Sequence, residues 1–131
     1  MDEITKYNEE INEDVKMSEF NLKDKQMMLP GIKHKWVARL INHKRELAKL
    51  KSLKITAKEK IMAKYSTEAS VHLSRPVIDK KTESHDVIKK INKNIKEEEL
   101  TIVYLEKVEA IFRGMSFDIK NLIDIMKLEE T

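Results

Sequence analysis

Residues 33–64 read KHKWVARLINHKRELAKLKSLKITAKEKIMAK, and this one stretch decides how the chain is built. Positions 36, 40, 43, 47, 50, 54, 57 and 61 alternate spacings of four and three. They hold Trp36, Leu40, His43, Leu47, Leu50, Lys54, Ala57 and Ile61, a heptad-like seam with polar interruptions at His43 and Lys54. A second, weaker apolar row of Val37, Ile41, Ile55 and Met62 widens the buried face at both ends. The spacing predicts one long helix from Ile32 to about Tyr65. Basic residues crowd the rest of the cylinder, and Lys44, Lys51 and Lys58 lie seven apart on one flank.

The same window carries eleven Lys and Arg (Lys33, Lys35, Arg39, Lys44, Arg45, Lys49, Lys51, Lys54, Lys58, Lys60, Lys64) against two acids, Glu46 and Glu59. It is therefore net +9 in a chain of net +3, and everything outside it sums to −6. A field concentrated in this way attracts polyanions, and a nucleic-acid backbone is the polyanion that matches a long basic helix. Lys-rich surface helices also serve solubility alone, but ordinary ones interleave acids at i±4. Eleven bases with two acids repel one another along the helix unless an anion relieves them. Polyanion binding is the favoured reading.

The composition sets the fold class. With 131 residues, 5% aromatics, two Gly and two Pro, the chain is poor in strand and turn formers, so it reads as one all-α domain. No Cys means no disulfide, no thiolate ligand and no cysteine nucleophile. No apolar run approaches the ~20 residues that span a bilayer, so no membrane association is expected. The acidic start Met1-Asp2-Glu3-Ile4 does not read as a signal peptide, and a soluble intracellular protein is expected.

Working outward, Ile4, Tyr7, Ile11 and Val15 mark a short amphipathic helix over residues 2–17. Ser18 or Asn21 caps a second segment through Leu22, Met27, Met28 and Leu29, and Pro30-Gly31 is expected to break or kink the chain there. Residues 2–29 thus form N-terminal helical segments, and 32–65 the basic helix. Residues 66–85, with Arg75-Pro76 and Lys80-Lys81, lose periodicity and read as a long loop. Ser84 reads as the N-cap of a final helix over 86–128. In its second half Leu105, Val108, Phe112, Met115, Ile119, Leu122 and Met126 form a seam, with Leu100, Val103, Tyr104, Ile111, Ile123 and Ile125 outside it. A surface this wide exceeds what one neighbouring helix covers, so the seam is assigned to oligomerisation.

Catalytic and cofactor chemistry is not legible. Gly31 and Gly114 are too far apart for a nucleotide-binding loop, and His34, His43, His72 and His85 make no ligand spacing. Neither a metal nor another cofactor is expected. Glu97-Glu98-Glu99 point about 100° apart on a helix and read as a solvated face. His43 reads as a packed or interface histidine, and Trp36 as core beside Leu40. Tyr65 is the better candidate for stacking on a base.

Lys35-Trp36, Lys44-Arg45-Glu46, Ala57-Lys58-Glu59-Lys60-Ile61 and Tyr65-Ser66 follow one another without gaps. Asp86-Val87-Ile88-Lys89 and Phe117, Ile119, Lys120, Leu122 and Asp124 come later. In this order and spacing the chain resembles the UvsY recombination mediators of T-even-type bacteriophages over roughly residues 34–128. The family's long basic helix has a Lys-Trp pair, a Lys/Arg-Glu cluster and a Leu-Lys-Ala-Arg-Leu element followed by Tyr and Ser. Here Ala57 replaces its first Leu, Glu59 its Ala and Lys60 its Arg. Lys lacks the planar fork of Arg, and an acid between two cations weakens DNA affinity relative to the family pattern.

The resemblance implies helical-hairpin-like subunits assembling into a ring of six or seven, with no enzymatic activity. It implies single-stranded DNA as ligand, and a UvsX-type recombinase and single-strand-binding protein as partners. The implied role is to load recombinase onto covered strands in the cytoplasm of the infected host. The expected DNA-binding residues are Lys58 and Lys60, assisted by Lys44, Lys51, Lys54, Lys64 and Tyr65. The alternative reading is a coiled-coil adaptor whose basic helix meets an acidic protein and no nucleic acid.

Overall fold

The computed structural model describes residues 2–68 and 72–130. Among them four α-helices form and no strand: α1 (Glu3–Asp14), α2 (Leu22–Glu68), α3 (Arg75–Glu83) and α4 (Asp86–Glu130). The all-α expectation holds. The sequence reading took the chain as one domain, whereas the structure divides it into two compact units. Unit 1 comprises Met1–Asn42 with Thr101–Thr131, and unit 2 comprises His43–Leu100.

In unit 1, Asp2 caps α1 by accepting a hydrogen bond from the Thr5 amide at 2.8 Å. Pro30-Gly31 does not break the chain as expected; Pro30 lies inside α2, which begins at Leu22. An interior proline removes one backbone hydrogen bond and costs about 3 kcal/mol. Burial on the other side of the helix outweighs that cost. Leu22, Leu29, Ile32, Trp36 and Leu40 are all buried, continuing the three–four seam backwards through the proline, while Pro30 itself faces outward. The second apolar row does not widen this face: Val37, Ile41 and Ile55 are exposed and Met62 is half-buried.

Facing that seam, α4 buries Ile102, Leu105, Val108, Phe112, Met115 and Ile119. The two helices run antiparallel here, with the Trp36 and Phe112 rings stacked at 6.3 Å and 10°, and Lys33 Nζ donating to Ser116 Oγ at 3.2 Å. Five residues of the expected oligomerisation seam (Leu105, Val108, Phe112, Met115 and Ile119) are therefore core of the subunit, each no more than 2% exposed. The seam of α4 is covered from within the chain, while Val103, Ile111 and Ile125 outside it stay exposed. Tyr104 donates from its hydroxyl to Asn8 on α1 at 3.2 Å.

Trp36 is fully buried and joins three helices. The Tyr7 ring meets it edge-on at 5.5 Å and 86°, and its indole N–H donates to the Asp14 carboxylate at 2.9 Å. Lys25 Nζ donates to the carbonyls of Glu13 and Asp14 at 3.2 and 3.0 Å, placing a cation on the unsatisfied C-terminal end of α1.

In unit 2 the expected loop 66–85 contains a helix. Residues 69–71 lie outside the described residues, but Arg75–Glu83 is α3, with Ser74 at its N-cap position and Pro76 in its first turn. Proline is tolerated there because that amide has no intrahelical partner anyway. Ile78 and Thr82 are buried, and Thr82 satisfies its hydroxyl by donating to the Ile78 carbonyl at 2.8 Å. The period of α3 was hidden because only these two positions turn inward. Ser84 closes α3 rather than opening α4; His85 stands at the start of α4 and accepts from the Val87 amide through Nδ1 at 3.1 Å. Ile88, Ile91 and Ile95 supply the α4 side of the unit 2 core.

Replacing Trp36 by Ala deletes the largest buried side chain of unit 1 and takes one donor from the Asp14 carboxylate, leaving it Lys35. A loss of about 3–5 kcal/mol is expected, read from the midpoint and slope of urea unfolding.

Candidate nucleic-acid interface

Unit 2 holds 15 Lys and Arg against 9 Asp and Glu, and unit 1 holds 11 against 14. The positive surplus belongs wholly to unit 2, where the α2 portion starts at His43. Its inward face is set by His43, Leu47, Leu50, Lys54, Ala57 and Ile61, all buried or half-buried. The predicted seam is correct here, including its two polar interruptions.

His43 is satisfied rather than exposed: its Nδ1 lies 2.7 Å from Glu98 Oε2, and neither side chain is more than a fifth exposed. Glu98 is thus drawn inward from the triplet read as a solvated face, and Glu97 and Glu99 stay outside. Lys54, at the second interruption, is half-buried.

The seam divides the cations of α2 into two sets. At 100° per residue Lys44, Lys51 and Lys58 flank the inward face on one side. Lys58 is half-buried and paired with Glu83 of α3. The Lys58 ammonium, with Lys54 further off, holds the Glu83 carboxyl below the usual carboxylate range. The residue expected to lead DNA binding is therefore already neutralised by a carboxylate of its own unit. Glu83 belongs to the stretch whose missing period reads as a loop, so the sequence alone does not bring it to Lys58.

On the other side of the seam, Arg45, Lys49, Lys60 and Lys64 fall within one arc of about 100°, which runs from the seam's margin at Lys64 to the outward face at Arg45. All four are exposed. Among the described residues no carboxylate stands within ion-pair distance of Arg45, Lys49, Lys51 or Lys60. Arg45 and Lys49 were missing from the expected site, although their angular distance from the seam was available from the sequence. Lys89, Lys90, Lys93 and Lys96 add exposed cations from α4. Tyr65 is half-buried, its ring edge-on to His85 at 6.5 Å and capped by the Lys81 ammonium at 5.8 Å, so it is engaged within the unit. Such an arrangement presents charge to a polyanion. Among the described residues no group of three His, Asp or Glu could hold a metal ion, and no helix is long and apolar enough to cross a membrane.

Beyond its core the end of α4 keeps apolar groups outside. Leu122 is 38% exposed and Met126 half-buried, and the latter lines a groove with Leu22, Met27 and Ile123. Phe117, Ile125 and Leu128 are exposed as well.

Comparison with solved structures identifies this fold. The crystal structure of the bacteriophage T4 recombination mediator protein UvsY in lattice type IV matches with a TM-score of 0.85 at 15% identity, covering 98% of this chain and 99% of that one. Lattice type II gives 0.84 at 14% identity, with both chains covered completely. Lattice type I gives 0.80 at 15%, covering 93% of this chain and 97% of that one. No family model and no curated protein matches the sequence. At this identity the likeness is one of fold: the chain is folded as UvsY is, along its whole length.

The Lys58–Glu83 pair is 34% and 47% exposed, so solvent screens it. Glu83→Gln is expected to cost no more than about 1 kcal/mol in urea unfolding, leaving Lys58 in place but unneutralised.

Proposed function

We propose that this chain is a recombination mediator that binds single-stranded DNA through unit 2 and loads a UvsX-type recombinase onto strands covered by single-strand-binding protein. The observation that carries this reading is the outward arc of Arg45, Lys49, Lys60 and Lys64, set on the fold of a recombination mediator. Exposed cations without internal partners bind phosphate and release counterions, so recognition is of the backbone and largely independent of sequence. Arg45 adds the fork that lysine lacks. The function needs no bond-making chemistry; it acts by binding, in the cytoplasm of the infected host.

Weak backbone contacts become useful when several copies act together. The proposed assembly is a ring of six or seven subunits, in which DNA held by one subunit is presented to the next at high effective concentration. Exposed Leu122, Ile125 and Leu128 and half-buried Met126, at the end of α4, take the place of the buried seam as the contact between subunits.

Two measurements test the reading. Replacing Arg45, Lys49 and Lys60 together by Ala should weaken binding to every oligonucleotide by a similar factor. It should also flatten the slope of log affinity against log salt by about 2, at about 0.7 per phosphate neutralised. Lys58→Ala should change both far less. Absence of oligonucleotide binding by the unmodified chain at moderate salt would leave the adaptor reading in its place. For the assembly, Leu122→Glu with Met126→Glu puts unpaired carboxylates into the contact, and sedimentation should show monomers or small species. An unchanged sedimentation coefficient places the contact elsewhere.

A further inference from the structure

Among the described residues of unit 1, α1 and the first part of α2 share a dense charge cluster, whereas the arc proposed to bind DNA belongs to unit 2. Glu10 bridges two cations of α2, accepting from Lys35 Nζ at 3.0 Å and from the Arg39 guanidinium. Asp14 accepts from Lys35 Nζ at 2.6 Å and from the Trp36 indole N–H at 2.9 Å. Arg39 also lies over two aromatic rings, its Cζ 4.7 Å from the centre of Trp36 and 5.2 Å from that of Tyr7. An ammonium, a guanidinium laid on an aromatic plate and an indole N–H make a donor set suited to phosphate oxygens beside a base. Here the acceptors are carboxylates of the chain's own first helix.

That helix is anchored more by charge than by apolar burial. It carries Glu3, Glu9, Glu10, Glu13 and Asp14 against Lys6, and Ile11 is its only buried residue. The Lys35, Arg39 and Glu10 side chains keep between 30% and 39% of their surface in water, where ion pairs contribute little each and weaken with salt. A helix of 12 residues is marginal on its own, so α1 depends on this docking. The arrangement holds the Glu10 carboxyl below its usual range, chiefly through Arg39. Lys35 is raised by Asp14 and Glu10 against an opposing effect of burial.

We infer that Lys35, Trp36 and Arg39 form a second phosphodiester-binding site, and that α1 is a built-in competitor whose Glu10 and Asp14 stand in for backbone phosphates. A single strand that displaces these carboxylates exchanges one set of anions for another, so the donors are never left unpaired. The step opens one side of Trp36 while Phe112 keeps the other. This inference rests on the nucleic-acid reading above and adds to it a site whose occupancy is set by competition within the chain.

The test uses the full chain and a labelled oligothymidylate. Glu10→Gln with Asp14→Asn should bind it several-fold more tightly than Glu9→Gln with Glu13→Gln, which makes the same change in net charge on the same helix but leaves the cluster intact. Adding Lys35→Ala and Arg39→Ala to the first variant should abolish the gain. Trp36 is the only tryptophan, so its emission should be quenched and shifted to the red when the unmodified protein binds. Equal affinity of the two double variants overturns the inference, as does a gain that survives loss of Lys35 and Arg39, or Trp36 emission that ignores the oligonucleotide. Binding that depends on Arg45, Lys49 and Lys60 but is indifferent to Glu10 and Asp14 removes only this site. No binding by any variant removes the functional reading and this site with it.

Discussion

Unit 1 depends on the burial of one indole. Trp36 supplies a plate for Phe112, an edge contact for Tyr7, a proton for Asp14 and a surface beneath Arg39, so each helix of the unit is fixed with reference to it. An aromatic of this size brings a large apolar area into the core, but its N–H needs an acceptor. Asp14 is that acceptor, and its second role on Lys35 couples apolar burial to the charge cluster. The acidic character of α1 follows. A helix that must satisfy an indole and two cations is built from carboxylates, and little of its apolar surface has to be buried.

Unit 2 solves a different problem. Its core is thin: Ile78, Ile88, Ile91 and Ile95 with Thr82 and His43. The two buried polar residues of this core each receive a partner, Glu98 for His43 and the Ile78 carbonyl for Thr82. Lys58, half-buried at the margin of the inward face, meets Glu83, while the cations of the arc meet solvent. Desolvation explains the division. A half-buried ammonium without a carboxylate is costly, whereas an exposed one costs little and remains available to an external anion.

The long helices were legible because each carries a seam of period three to four, and the seam is a direct record of burial. The Leu105 to Ile119 seam was found, but its role was misread as contact between subunits. Periodicity reports that a face is covered without reporting by what, and the partner face from Leu22 to Leu40 was interrupted on paper by Pro30. α3 was lost for the opposite reason, since nine residues with two inward positions leave too few repeats to reveal a period. The cationic site was half legible. Charge density singles out a helix that does present exposed cations, but which lysines are neutralised depends on Glu83, a residue the sequence offers no way to bring near Lys58.

The two units use the same chemistry with opposite sign of outcome. In unit 1 carboxylates already sit on Lys35 and Arg39, so that pair of cations adds little to the external field. In unit 2 fifteen bases face nine acids, and the surplus repels itself. A thin core makes such repulsion matter, because net stability is a small difference between large opposing contributions. Relief has to come from outside the unit, and any polyanion that binds the folded arc but not the unfolded chain supplies it by mass action. The outward arc is therefore at once the most destabilising feature of unit 2 and the one best fitted to a ligand. Glu46 and Glu59 stand exposed on the same stretch of helix, but two carboxylates leave most of its charge to an external anion.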